Sequence, residues 1–411
     1  MMRVCDRCIQ PDTRPGIYFN NQGTCGACLW EEEKKEINWV AREKELEEIA
    51  EWAKNTAKSN YDCVIGVSGG KDSTKQALTA RDRLGLRCLL VNCEPEGITE
   101  IGSHNIENLK KLGFDVINLR PNPKVMKMLI KRDFYKYLNP VKITEFPLYA
   151  SAYIIAEKFD IPLIIQGENP GLTLGTSLTG IGTDSNAMKA DELQTLSSGW
   201  NEYIEIEGVE EKDLYLFHYD RKKLEEKGCK AIWLNYFLKE WSNYNNAIFA
   251  KEHGLKWRPE NFDRESVGTY LPYFQLDGDL TQVNQLLKYI KFGFGQCMDH
   301  ACYDLREGRI TREKAIELVK KYDAEIFITI GPVIKKDSVR DAVKFIKFND
   351  FVNQLDFADV SRIIKTRVLN EVIGPLNLKG IVGKTITFEG AITFDRKDKI
   401  YITPTLLNLS D

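Results

Sequence analysis

From residue 61 onward the apolar positions of this chain form short solid runs separated by longer periodic stretches. Residues 62–67 (DCVIGV), 86–93 (LRCLLVNC), 115–119 and 161–166 (IPLIIQ) are of strand length and apolar on both faces. Between them, residues 74–84, 101–112 and 149–159 have helical composition. This alternation predicts an α/β fold, a parallel sheet with helices on both faces. In open sheets of that kind ligands sit beyond the carboxyl ends of the strands, so the residues just after each strand are where chemistry is expected.

The flanking segments differ. Residues 31–55 space Ile37, Val40, Leu46, Ile49 and Ala53 helically among many Glu and Lys, predicting one amphipathic linking helix. Residues 1–30 contain Pro11, Asp12, Pro15, Gly16, Asn20, Asn21 and Gly23 around a short β-like run, Ile17, Tyr18 and Phe19. So little apolar material cannot form a core of its own. Downstream, residues 171–199, rich in Gly, Ser and Thr, read as a long mobile loop. Residues 214–253 read as aromatic-rich and helical. Residues 281–321 read as two helices, with Thr311 as N-cap and Glu313 nearby in the second. In the tail, residues 339–351 and 357–372 are amphipathic and 385–404 alternate as a hairpin turning at 396–399. The organisation expected is a cysteine module (1–30), a linking helix (31–60), the α/β domain (61–210), a mostly helical substrate region (211–326) and a C-terminal α+β unit (327–411).

Composition narrows the class. The 411 residues are 43% hydrophobic and 28% charged, ordinary for a globular chain with a core. Fifty-seven Lys plus Arg against sixty Asp plus Glu leave a net charge of −3, which argues against a nucleic-acid partner. No apolar run approaches the roughly 20 residues of a membrane span, so no membrane partner is expected. The start, MMRVCDRC, lacks a signal-peptide core. The expectation is a cytoplasmic protein.

The strongest local signal is Ser68-Gly69-Gly70-Lys71-Asp72-Ser73, directly after one strand and before a helix. Two glycines let the backbone approach an anion, and the helix aims free N–H groups and its dipole at it. Lys71 supplies charge, the serines supply hydroxyls, and Asp72 can reach a phosphate-bound metal. The loop matches neither the Walker pattern nor the G-x-G-x-x-G of dinucleotide binders. The second signal is Cys5-x2-Cys8 followed by Cys25-x2-Cys28, the spacing of a closed four-thiolate zinc shell. A redox C-x-x-C is the rival reading, but it usually stands alone at a helix start. The turn-rich residues between the pairs are what a metal would need to hold together. The scattered Cys63, Cys88, Cys93, Cys229, Cys297 and Cys302 read as small core residues.

The 68–73 loop resembles the pyrophosphate loop (PP-loop) of the ATP pyrophosphatases, the adenine nucleotide alpha hydrolase-like group that includes GMP synthetase, asparagine synthetase and several tRNA-thiolating enzymes. That resemblance implies cleavage of ATP to AMP and pyrophosphate, with AMP transiently esterified to a carbonyl oxygen. A longer set occurs in order: CDRCIQPDTRPGIYFNNQGTCGAC, the loop itself, Thr99 to Gly102 with Asn105, Gly167-Glu168-Asn169, Lys291 to Gly295 with Asp299, His300 and Ala301, and Arg309 to Glu313. Over residues 1 to about 325 the chain is similar to the N-acetyl sugar amidotransferases of bacterial lipopolysaccharide, O-antigen and nonulosonic-acid biosynthesis.

The similarity implies an AMP-forming C–N ligase that turns an acetamido sugar into an acetamidino sugar. Ammonia would come from a separate glutaminase and its barrel-type companion, and the cofactors would be ATP, Mg2+ and structural Zn2+. It implies that Val67, Ser68, Gly69, Gly70, Lys71, Asp72 and Ser73, with Asn92 and Gly167, bind ATP. Lys71, Asp72, Glu168, Asn169 and His300 would be catalytic: Glu168 and Asn169 would bind magnesium or orient the acetamido group, and His300 would be a base for ammonia. Two departures stand out: Gln166 where the family often has Trp, and residues 327–411, which resemble none of it. Trp200, Trp233, Trp241 and Trp257 could stack on a sugar or fill the core. The rival readings are a tRNA-thiolating enzyme, which needs a basic RNA surface, and a zinc-dependent scaffold without catalysis.

Overall fold

The computed structural model describes residues 3–176, 183–193, 195–323, 325–331, 333–334, 337–343, 345–378, 381, 384–396 and 399–410. They fall into two compact units, one from residues 2–262 and 269–320, the other from 263–268 and 321–411. Among the described residues no helix is long and apolar enough to cross a membrane.

The larger unit is built on five parallel strands: β1 (Cys63–Gly66), β2 (Cys88–Cys93), β3 (Asp115–Leu119), β4 (Leu163–Gln166) and β5 (Lys230–Trp233). Their order is β3-β2-β1-β4-β5, and Ile65 of β1 sits opposite Leu90 on one side and Ile165 on the other. Alternate residues feed two cores. Val64, Leu89 and Ile164 pack with Leu129, Ile143 and Tyr153 from helices Pro123–Tyr137 and Lys142–Phe159. Ile65, Leu90 and Ile165 pack with Leu46, Ala77 and Leu109 from helices Trp39–Thr56, Lys71–Leu78 and Glu100–Lys111. Both faces of the strands are thus covered, as their apolar composition requires. The strand order reverses between β1 and β4, so the loops after these two strands part to leave a crevice.

Several elements differ from expectation for identifiable reasons. Residues 214–253 are not simply helical: they include β5, fixed by pairing Ile232 with Ile165 rather than by any local alternation. The sheet therefore runs past residue 210. The expected 31–55 helix is two helices, Gly26–Glu33 and Trp39–Thr56, because Asn38 caps the second, its Oδ1 accepting from the Ala41 N–H at 3.1 Å. The helix expected at 149–159 begins at Lys142 and carries Pro147 inside it, held by burial of Ile143 and Phe146. Residues 281–321 hold three helices, Asp279–Phe292, Gln296–Arg306 and Arg312–Tyr322, the first ended by Gly293 at φ 73°. Thr311 does cap the third, its hydroxyl accepting from the Lys314 N–H at 3.2 Å.

In the 171–199 stretch, Ala187, Met188, Ala190, Leu193 and Leu196 are buried in the core, so the described part is packed and not a mobile surface loop; residues 177–182 and 194 lie outside the described residues. The first 30 residues share a hydrophobic cluster with Ala301, Cys302 and Ala315 and have no separate core.

The smaller unit contains β6 (Glu325–Ile328), β7 (Thr385–Arg396) and β8 (Lys399–Ser410) in the order β6-β8-β7. β7 and β8 form the expected hairpin, with Arg396 opposite Lys399 and its turn, residues 397–398, outside the described residues. Of the two amphipathic stretches, the described residues of 339–351 include part of the short helix Ser338–Ala342 and a 3-10 turn, Phe348–Asp350, whereas much of 357–372 lies in the helix Gln354–Arg367.

Leu90 is fully enclosed, while Val40 is 78% exposed on its helix. Leu90→Ala is expected to cost about 2–5 kcal/mol in urea unfolding of the larger unit, and Val40→Ala to change it by about 0.5 kcal/mol or less. Equal effects would contradict this placement of the core.

Candidate active site and four-cysteine centre

The loop after β1 is shaped by its glycines. Gly69 has φ 75°, and a Cβ there would lie 3.0–3.2 Å from Ile106 and Asn105. Gly70 caps the helix Lys71–Leu78, and its carbonyl accepts from the Ser73 hydroxyl at 3.1 Å and the Thr74 hydroxyl at 2.9 Å. Ser73 is therefore turned back onto the backbone. Ser68 to Asp72 line a cleft of about 210 Å³, walled opposite by Gly102, Asn105 and residues 273–277. The two segments of this wall are in close contact: a Cβ on Gly102 would lie 2.8 Å from the Asp277 Cα. Arg258 also holds the carbonyls of Phe274 and Gln275 at 2.6 and 2.9 Å. Lys71 is buried, paired with Asp72, and its Nζ lies 4.5 Å from the centre of the Phe274 ring. Asp72 also accepts from the Asn246 side chain at 2.8 Å.

Across the crevice, Gly167, Glu168 and Asn169 follow β4. Gly167 accepts from the Asn235 N–H at 3.0 Å, and the Asn235 side chain accepts from the Asn169 N–H at 3.0 Å. Asn169 is fully buried and caps the short helix Pro170–Thr173, its Oδ1 accepting from the Gly171 N–H at 2.9 Å. Glu168 is half-buried and accepts from the Trp241 indole N–H at 2.9 Å. Burial, and next the Asp72 charge, push its carboxyl up to about 7. Glu168 thus shares the electrostatic neighbourhood of Lys71 and Asp72.

His300 lies in the helix Gln296–Arg306, stacked on Phe274 with ring centres 3.8 Å apart and its Nδ1 2.6 Å from the Thr269 hydroxyl. Burial lowers it to about 3, so the enclosed imidazole is held in its neutral form. Its neighbour Asp299 is paired with Arg14 and, at 2.7 Å, with Lys288. Burial would raise that carboxyl, but the two cations hold it well below its ordinary range.

Not every expected residue reaches the cleft. Val67 continues the pairing of β1, its N–H donating to Val91 at 2.9 Å, and Asn92 is buried with its side chain donating to Asn118 at 3.2 Å. Asn246, Phe274, Asn235 and the Trp241–Glu168 bond were not expected from the sequence. They come from segments with no motif, and only the fold brings them to the loops after β1 and β4.

The two C-x-x-C pairs converge. The Cys5 and Cys28 sulfurs lie 3.9 Å apart, those of Cys8 and Cys25 3.7 Å, and all four lie within 4.8 Å of one another. Zn–S bonds of about 2.3 Å in a tetrahedron give S···S edges of about 3.8 Å, so the residues fit a structural zinc ion. Main-chain N–H groups of Gln10 and Cys25 point at the Cys8 and Cys5 sulfurs at 3.4 and 3.2 Å. Arg312 gathers the carbonyls of Cys5, Asp6 and Cys8, and Arg306 lies 4.0 Å from the Cys8 sulfur.

Residues 260–349 match the family described as "LPS biosynthesis protein WbpG-like, C-terminal domain", and residues 309–408 match "Predicted periplasmic lipoprotein (DUF2291)". Each covers less than half of the chain. No curated protein matches significantly. Among solved structures, the chain is similar to a predicted tRNA methyltransferase subunit from Methanocaldococcus jannaschii (14% identity, TM-score 0.26, 46% of this chain and 75% of that one). It is also similar to an NH3-dependent NAD synthetase from Campylobacter jejuni (15%, 0.27, 47% and 97%) and an NMN synthetase from Francisella tularensis (14%, 0.26, 55% and 100%). Likeness at this level carries no argument, and the fold rests on the strand order above.

Two outcomes follow from the geometry. Purified protein should carry about one equivalent of zinc by elemental analysis, lost in Cys25→Ser; a metal-free, fully folded chain would contradict the closed shell. For Glu168, a folded value of about 7 against an ordinary 4.5 means the folded chain keeps a proton that the unfolded chain has released. The contribution of Glu168 to stability must then fall as pH rises from 4.5 to 7. In urea titrations, Glu168→Gln should gain on the parent over that window, and a pH-independent difference would count against a desolvated Glu168.

Proposed function

We propose that the protein is an ATP-dependent, AMP-forming amidotransferase that converts the acetamido group of an N-acetyl sugar into an acetamidino group for surface-glycan biosynthesis. The observation that carries this reading is the Ser68–Asp72 loop at the carboxyl end of β1, set at the crevice opposite Glu168. The cleft's opposite wall, residues 273–277, belongs to the stretch that matches an LPS-biosynthesis domain.

An amide carbonyl is a poor electrophile because its oxygen does not leave. In this reading the main-chain N–H groups around Gly69 and Gly70 and the following helix hold the pyrophosphate of ATP. Lys71 neutralises its charge, and Asp72, oriented by Asn246, reaches the magnesium that accompanies ATP. The acetamido oxygen attacks the α-phosphorus and expels pyrophosphate; ammonia adds to the activated carbon, and AMP departs with the former carbonyl oxygen. Glu168 takes the proton released, a role suited to a carboxylate poised near neutrality. Asn169 orders the turn that presents Glu168. Ammonia from a separate glutaminase with a barrel-type companion belongs to the same proposal, and the four-cysteine centre serves structure.

Incubation with MgATP, ammonium and a panel of UDP- and CMP-linked N-acetyl sugars should release AMP and pyrophosphate with a sugar in which NH replaces oxygen, read by mass spectrometry. Asp72→Ala should lower pyrophosphate release by about 10²–10³-fold with unchanged circular dichroism; undiminished turnover in that variant would remove the loop from the mechanism.

A further inference from the structure

Phe274 stands in the segment 273–277, across the 210 Å³ cleft from the 68–72 loop. Its main chain is held there from several sides. Arg258 donates to the Phe274 carbonyl at 2.6 Å and to the Gln275 carbonyl at 2.9 Å, and the Gln282 side chain adds a bond to the latter at 3.3 Å. Gln275 takes a left-handed φ of 47°, a conformation that a residue with a Cβ keeps only where its surroundings impose it. Just beyond, the Thr99 hydroxyl donates to the Leu276 carbonyl, and the Thr99 N–H to that of Asp277 at 3.0 Å.

A ring fixed in this way can fix what it touches. His300 stacks on Phe274 with centres 3.8 Å apart and planes 21° apart. The Lys71 ammonium also lies over the ring, 4.5 Å from its centre. An aromatic face attracts a cation most strongly where water is excluded, and Lys71 is only 5% exposed. The other partner of Lys71 is Oδ2 of Asp72, while Asn246 donates to Oδ1. Both oxygens of Asp72 are therefore engaged. In the reading above, Asp72 reaches the magnesium of MgATP. A carboxylate drawn to a divalent cation gives up part of its hold on a lysine, and a buried ammonium then needs another partner. The ring is a partner for which the metal does not compete.

We propose that Phe274 is a positioning residue: its ring holds the Lys71 ammonium over the cleft, so that this charge stays aimed at the phosphates when Asp72 turns to magnesium. The inference rests on the nucleotide reading of the 68–73 loop and involves no covalent step.

The test replaces Phe274 in the full chain with mono-, di- and trifluorophenylalanine, which keep the shape of the ring while draining negative charge from its face. Calorimetry then reads the binding of two probes, magnesium with α,β-methylene-ATP and magnesium pyrophosphate, and neither measurement needs the sugar. Dissociation constants for both should rise stepwise with fluorine number, by about tenfold at the trifluoro ring, with circular dichroism unchanged. If the trifluoro protein fails to fold, the mono- and difluoro members give the slope. Pyrophosphate carries no base, so a rise confined to the nucleotide puts the ring against adenine and overturns the inference. A flat series for both probes also overturns it and leaves the nucleotide reading standing. An unaltered protein that does not bind magnesium pyrophosphate overturns the phosphate role of the loop, and the positioning role with it.

Discussion

The structure depends on β1 being paired on both sides. Its residues lie in parallel register with β2 on one flank and β4 on the other, and Cys63, Val64 and Ile65 are all fully buried. Parallel strands end at the same edge of a sheet, so the loop that begins at Ser68 and the one that begins at Gly167 must emerge side by side. The reversal of strand order between β1 and β4 keeps the intervening helices from covering them. Every polar group of the candidate site is placed by this constraint, or by segments that close over the crevice it creates.

Two kinds of information in the sequence had different fates. The solid apolar runs for β1, β2 and β4 were legible because a strand buried on both faces needs apolar residues at nearly every position, whereas β3 is a partly exposed strand at the sheet edge. The 68–73 loop was legible because consecutive glycines between strand and helix answer a backbone demand: Gly69 at φ 75° lies against Ile106 and Asn105. β5 was not legible, because a four-residue edge strand inside an aromatic-rich stretch has no local period, and only its ladder with β4 distinguishes it. Asn246 and Phe274, which meet the loop, and Trp241, which meets Glu168, were hidden for the same reason: they share no spacing with the residues they touch and reach them through tertiary packing. His300 shows the converse. A histidine near a motif suggests a base, yet its protonation is decided by enclosure against Phe274 and Thr269, which spacing along the chain does not encode.

The charges around the crevice are arranged by enclosure as much as by pairing. Asp299, less enclosed than its neighbour His300, keeps its negative charge because Arg14 and Lys288 both meet it. Glu168 has an indole N–H and, nearby, another carboxylate, so its proton is held more tightly. Two acids near one crevice thus end on opposite sides of their ordinary range, the separation that lets one group stay a fixed anion while another exchanges protons.

The helix Gln296–Arg306 links the N-terminal cysteines to the wall of the cleft. It carries His300 toward Phe274 and the wall of the cleft, and it carries Cys302 and Arg306 toward the first cysteine pair. During synthesis the cysteines leave the ribosome first and this helix follows after nearly three-quarters of the chain. Contacts of such long sequence separation are among the last that a growing polypeptide can make. The four-cysteine knuckle therefore spends most of translation without its packing partners, and a product that stops short of this helix would lack the His300 ring that stacks on Phe274 in the wall of the cleft.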